Sequence, residues 1–321
     1  MKQQAGIGIM LALTTAICWG ALPIAMRQVL EVMEPPTIVF YRFLMASCGL
    51  GLILSWKRKL PSLRLFRNPR WLVLLLIATG GLFGNFVLFS SSLQYVSPTA
   101  SQVIGQLSPV GMMVASVFIL KEKMRGTQVV GALMLICGLV MFFNTSLIEI
   151  FTRLTDYTWG VIFGVSAAMV WVSYGVAQKV LLRRLASQQI LFLLYTLCTI
   201  ALLPLAKPEV IGLLSDWQLA CLIFCGLNTL VGYGALAEAM ARWQAAQVSA
   251  LITLTPLFTL LFSDLLSMAW PDVFVRPMLN LLGYLGAFVV VAGAMYSAIG
   301  HRLWGRWRKN EAVVVVPRSG E

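Results

Sequence analysis

The chain has 321 residues, of which 59% are hydrophobic and 11% charged. Soluble domains carry about 25% charged residues, so an ordinary globular core is excluded. The net charge of +12 lies in short connections between apolar runs, which marks membrane topology and argues against a nucleic-acid partner.

Apolar runs of about 20 residues, the length that spans a bilayer, recur from end to end. In chain order they predict ten helices at 6–26, 36–56, 71–94, 98–120, 127–146, 159–180, 188–206, 217–240, 245–268 and 280–300. Lys2 and the apolar run behind it have the look of a signal peptide. A matching segment half a chain later favours a retained first span. The second span carries Arg42, about 10 Å from its start at 1.5 Å per residue. A cation there costs on the order of 2.5–3.5 kcal/mol, so it either snorkels to an interface or holds a substrate carboxylate. The third span places Asn85 after Gly80, Gly81 and Gly84, whose small size lets helices approach.

The fourth span carries Gln102, Gln106 and Pro109 on one helical face. Proline removes a backbone hydrogen bond and clashes with the carbonyl four residues back, here Gly105. The ninth span repeats the pattern with Ser249, Thr253 and Pro256, which frees the Ile252 carbonyl. Broken backbone at membrane depth is tolerated where protein or a watery cavity supplies partners. The two breaks therefore point to a substrate path, the alternative being prolines that only shape the bundle. Glu238 and Asp264 are candidates for a coupling proton, although Glu238 has Arg242 at i+4 as a ready partner.

The connections sort by charge. If the N-terminus is cytoplasmic, the same side holds Lys2, the basic 57–70 loop, Lys121, Lys123, Arg125, Lys179, Arg183, Arg184, Arg242 and the tail from Arg302, leaving Arg27, Arg153, Lys207 and Arg276 opposite. The basic tail 301–321 reads as irregular. The six cysteines all fall in apolar runs, and the one histidine, His301, lies in the tail. No metal site, cofactor or catalytic triad is expected.

The chain also repeats itself. "TTAICWGALPIAMRQVL" lies over "AAMVWVSYGVAQKVLL" with Trp19 on Trp171, and Pro109 meets Pro256. Gly131 and Gly138 match Gly286 and Gly293. The expected fold is an all-α polytopic membrane protein of ten transmembrane helices, built as two inverted five-helix repeats. The units are 1–150 and 151–300, with 301–321 as a basic cytoplasmic tail.

Together "AICWGALPIAMRQ", "FYRFLMA" and "YVSPTASQVIGQLSPVGMMVASVFILKEK" resemble the EamA type of the drug/metabolite transporter superfamily. Within that group the chain is similar to enterobacterial inner-membrane members. The resemblance implies a multi-pass inner (plasma) membrane protein that moves small metabolites and is not an enzyme. In the family pattern an acidic residue, here Glu122, follows the proline of the fourth span, whereas the matching position in the second half is Ala269. The expected function is secondary transport, by alternating-access efflux, of a small polar or zwitterionic, amino-acid-like metabolite. Arg42, Asn85, Gln102, Gln106 and Thr253 are its expected contacts. A lipid or lipid-carrier flippase is the alternative. The expected partners are the metabolite and the bilayer, with a homodimer left open.

Overall fold

The computed structural model describes residues 5–61, 68–119, 126–243, 245–274 and 279–314. All regular structure among them is helical. The first half holds α1 (Ala5–Val29), α2 (Pro35–Trp56), α3 (Pro69–Tyr95), α4 (Pro98–Gly105), α5 (Leu107–Phe118), α6 (Gly126–Phe142) and the short α7 (Leu147–Thr152). The second holds α8 (Asp156–Leu181), α9 (Ser187–Leu202), a 3₁₀ turn at Pro208–Leu213, α10 (Asp216–Arg242), α11 (Ala245–Ile252), α12 (Thr255–Ala269) and α13 (Leu281–Val314). Among the described residues seven helical segments are long and apolar enough to cross a membrane, one of them α11 and α12 taken together, and α6 and α9 are shorter apolar helices.

Local chemistry sets the helix starts. Proline sits in the first turn of α2, α3 and α4, where its missing N–H costs nothing. Asn68, Ser97, Thr155 and Ser215 each accept a backbone N–H from the first turn.

Two expectations are corrected. The predicted spans 98–120 and 245–268 are not single kinked helices. Each is a pair of short helices, broken at Gln106 and at Thr253–Leu254. The breaks precede the prolines because proline fits a first turn: Pro109 is the third residue of α5 and Pro256 the second of α12. The second correction concerns the tail, where backbone helix continues α13 as far as Val314. Glu122, with Lys121, Lys123, Arg125 and Arg276, lies outside the described residues.

Helix packing follows a repeating logic. Helix α1 packs along α10 as α8 packs along α3, and α1 meets α11 and α12 as α8 meets α4 and α5. Helices α6 and α13 cross through glycines. A Cβ added at Gly131 would lie 2.6 Å from the Gly293 carbonyl oxygen, and one at Gly286 would lie 2.8 Å from that of Gly138. Exchanging the matched glycines turns the first contact into the second. The same exchange pairs Gly20, tight against Phe258, with Gly111, tight against Val172. The small residue has changed helix while the close approach is kept. One apolar core joins α2, α3, α8 and α9, and another joins α4, α6, α12 and α13.

Candidate functional site

Helix α2 turns Arg42 into the bundle. The side chain is 2% exposed. Its Nε donates to Thr229 Oγ1 at 3.2 Å on α10, and one terminal nitrogen reaches Met26 Sδ at 3.5 Å on α1. The guanidinium lies over the Phe86 ring of α3, 4.5 Å from its centroid. No carboxylate pairs with it among the described residues. A desolvated cation–π contact is worth about 2 kcal/mol, whereas burying an ion costs several kcal/mol. The contacts in place leave the charge without an anionic partner among the described residues.

Aromatic rings surround this cation. Phe43 lies 4.6 Å from Phe86 and 5.7 Å from Tyr195 between centroids. Tyr233 lies 6.4 Å from Phe86, 6.3 Å from Tyr195 and 5.1 Å from Trp19. Two polar atoms in this region lack partners among the described residues. One is the Tyr195 hydroxyl on α9, in a side chain 1% exposed; the other is the Asn228 amide oxygen on α10, in a side chain 3% exposed. A guanidinium and a hydroxyl donor in an aromatic shell are suited to a carboxylate attached to an apolar or aromatic body.

The other expected site residues are placed differently. Asn85 donates to the Ala167 carbonyl at 2.9 Å, joining α3 to α8. Gln102 donates to the Trp19 carbonyl at 2.8 Å, joining α4 to α1. Gln106 is buried at the break after α4. Thr253 bonds back to the Ala250 carbonyl at 2.7 Å. The Ile252 carbonyl freed by Pro256 takes the Thr255 hydroxyl at 2.6 Å. Glu238 pairs with Arg242 at 2.8 Å, both half-exposed, and Asp264 is partly buried on α12. Among these, Arg42 alone lies in the aromatic cluster. Thr229, Tyr233 and Asn228 escaped the sequence reading. Their signal was available: Cys225, Thr229 and Tyr233 stand at i, i+4 and i+8, an uncommonly polar stripe for a long apolar helix.

One end of the bundle beside the site is closed by polar contacts. Lys207 pairs with Glu34 at 2.8 Å, and the Tyr41 hydroxyl donates to the Pro208 carbonyl at 2.9 Å. The hydrogen-bonded Glu34 carboxylate holds the Lys207 ammonium above the usual lysine range. Gln218 adds a bond to the Gln28 carbonyl at 3.3 Å.

Comparison with known proteins gives the family and the fold. The chain is 86% identical over all 321 residues of both chains to the inner membrane transporter YhbE of Escherichia coli K12. It is 48% identical to a transporter of Haemophilus influenzae, over 94% of this chain and 98% of that one. The aromatic amino acid exporter YddG of Ancylobacter novellus is 26% identical over 170 residues, 53% of this chain and 57% of that one. A solved crystal structure shares the fold, with a TM-score of 0.62 at 19% identity, covering 94% of this chain and 99% of the other. The EamA-like transporter family matches residues 6–144 and again 158–297, and the chain belongs to that family of membrane transporters.

Proposed function

We propose that this chain is a secondary transporter exporting a small, amino-acid-like carboxylate with an apolar or aromatic side chain. The observation that carries this reading is Arg42: a buried guanidinium with no carboxylate among the described residues, in one aromatic cluster with a Tyr195 hydroxyl that has no partner among them. The substrate carboxylate supplies the missing counter-charge, and the rings of Phe86, Tyr233 and Trp19 pack its body. The distant likeness to an aromatic amino acid exporter supports the substrate class. Arg42 is enclosed by α1, α2, α3 and α10 rather than open to lipid, which disfavours a flippase.

In this reading the chain crosses the inner membrane ten times, as two inverted five-helix units with both termini cytoplasmic. Contacts that survive exchange of the halves support it, as does the charge bias of the connections. Alternating access then uses the breaks at Gln106 and Thr253–Leu254 as hinges. Reporter fusions at Lys59 and Glu321 should read cytoplasmic, and at Arg153 and Pro208 periplasmic.

Counterflow in proteoliposomes tests the site. With a panel of amino acids as cargo, Arg42→Gln and Arg42→Lys should each lower flux per inserted protein by tenfold or more, since lysine keeps the charge and loses the planar fork. Parental flux in both variants would remove Arg42 from the site.

A further inference from the structure

The site has a second unmet polar group, and its chemistry is opposite to that of Arg42. Asn228 lies on α10, one residue before the Thr229 that holds the Arg42 guanidinium. Its amide nitrogen donates to the Cys18 carbonyl of α1 at 2.5 Å. That bond fixes which way the amide faces, because a carbonyl accepts only from the NH₂ side. The Asn228 oxygen is thereby committed as an acceptor. It is buried and has no donor among the described residues. Cys18 directly precedes Trp19, whose ring meets Tyr233, and Asn228 is one turn from Gly232, against which Trp19 packs. The acceptor therefore sits where α1 and α10 meet the aromatic cluster.

We infer that the Asn228 amide oxygen binds the ammonium group of the substrate, so that the site selects amino acids over simple carboxylates. The inference rests on the proposed role of Arg42 and extends it: Arg42 reads the carboxylate and Asn228 the amine. A site built to hydrogen-bond one group rejects the analogue that lacks it, because its own buried polar atom is then left unpaired. Carboxylates without the amine leave this oxygen unmet.

The test uses the full-length protein in proteoliposomes, with the common amino acids and their deaminated carboxylates as cargo. The parent should favour each transported amino acid over its deaminated partner by tenfold or more. Asn228→Leu should narrow that preference to about threefold or less. Asn228→Asp should keep it, because aspartate retains an acceptor. Both variants lose the amide N–H that the Cys18 carbonyl accepts, and their folded yield and melting temperature report that structural role separately from the preference. Equal transport of amino acids and deaminated partners by the parent overturns the inference while leaving the carboxylate site standing. So does an Asn228→Leu variant that keeps the parental preference. If neither class of cargo moves, the proposed function falls and this inference falls with it.

Discussion

Gln102 donates its side-chain amide to the Trp19 carbonyl, the group that Pro23 leaves without a partner inside α1. In an intact helix the amide of residue 23 would fill that role, and proline has none. The glutamine thus repairs a defect in a neighbouring helix. Gln102→Leu should lower stability in detergent by about 1 kcal/mol, between the roughly 0.6 kcal/mol average for interhelical bonds in membranes and the roughly 1–3 kcal/mol cost of an orphaned buried group. Pro23→Ala in the same chain should restore it by returning the backbone donor. A double-mutant cycle showing additive effects would separate the two residues.

The crossing of α6 and α13 offers a prediction about packing alone. Any side chain at Gly138 or Gly286 meets the backbone of the opposite helix. Gly138→Val and Gly286→Val should therefore sharply reduce folded protein, measured by size-exclusion chromatography after extraction. Gly80, with nothing within 4 Å of an added Cβ, provides the control. Gly80→Ala should be neutral or stabilising by up to ~1 kcal/mol through helix propensity.

The two acidic candidates for coupling should part company. Glu238 forms a half-exposed i,i+4 pair with Arg242 at the end of α10, and such pairs contribute little to stability. Glu238→Gln should leave both flux and its pH profile close to parental. Asp264 is partly buried within α12, where a carboxylate in an apolar span is retained at a cost. Asp264→Asn should flatten the dependence of flux on an imposed proton gradient. An unchanged profile in Asp264→Asn would remove Asp264 from proton coupling.

How much of this was legible in the sequence depends on whether the information is local. Apolar run length marks the helices, because hydrophobic thickness fixes the length a span needs. The prolines announce that spans four and nine are broken. The break at Gln106 lies three residues upstream of Pro109, since a first turn accommodates proline. Gly131, Gly138, Gly286 and Gly293 could be matched as repeats, yet matching alone does not show that each faces another. Arg42 stood out by its cost. Phe86 and Tyr195 beside it did not, because they have the spacing of any core aromatic. The amides were hardest to read. Gln102 and Asn85 serve carbonyls on other helices, and only tertiary structure brings those carbonyls to them.

The last prediction isolates one atom. In the sequence alignment of the two halves, the position matching Arg42 falls near Tyr195, and the structure brings both into one cluster through Phe43 and Phe86. The Tyr195 hydroxyl is buried without a partner among the described residues. Removing it should not weaken the fold, since it makes no bond among the described residues and its burial carries a desolvation cost of about 1–3 kcal/mol. Tyr195→Phe should accordingly melt at the parental temperature or above it. If the hydroxyl donates to the substrate carboxylate beside Arg42, the same change should raise the half-saturating substrate concentration about three- to tenfold, the equivalent of a hydrogen bond worth ~0.7–1.4 kcal/mol. A core tyrosine with no such role predicts the higher stability and an unchanged half-saturation. A lower melting temperature would show instead that the hydroxyl holds the bundle together, and would remove it from the substrate site.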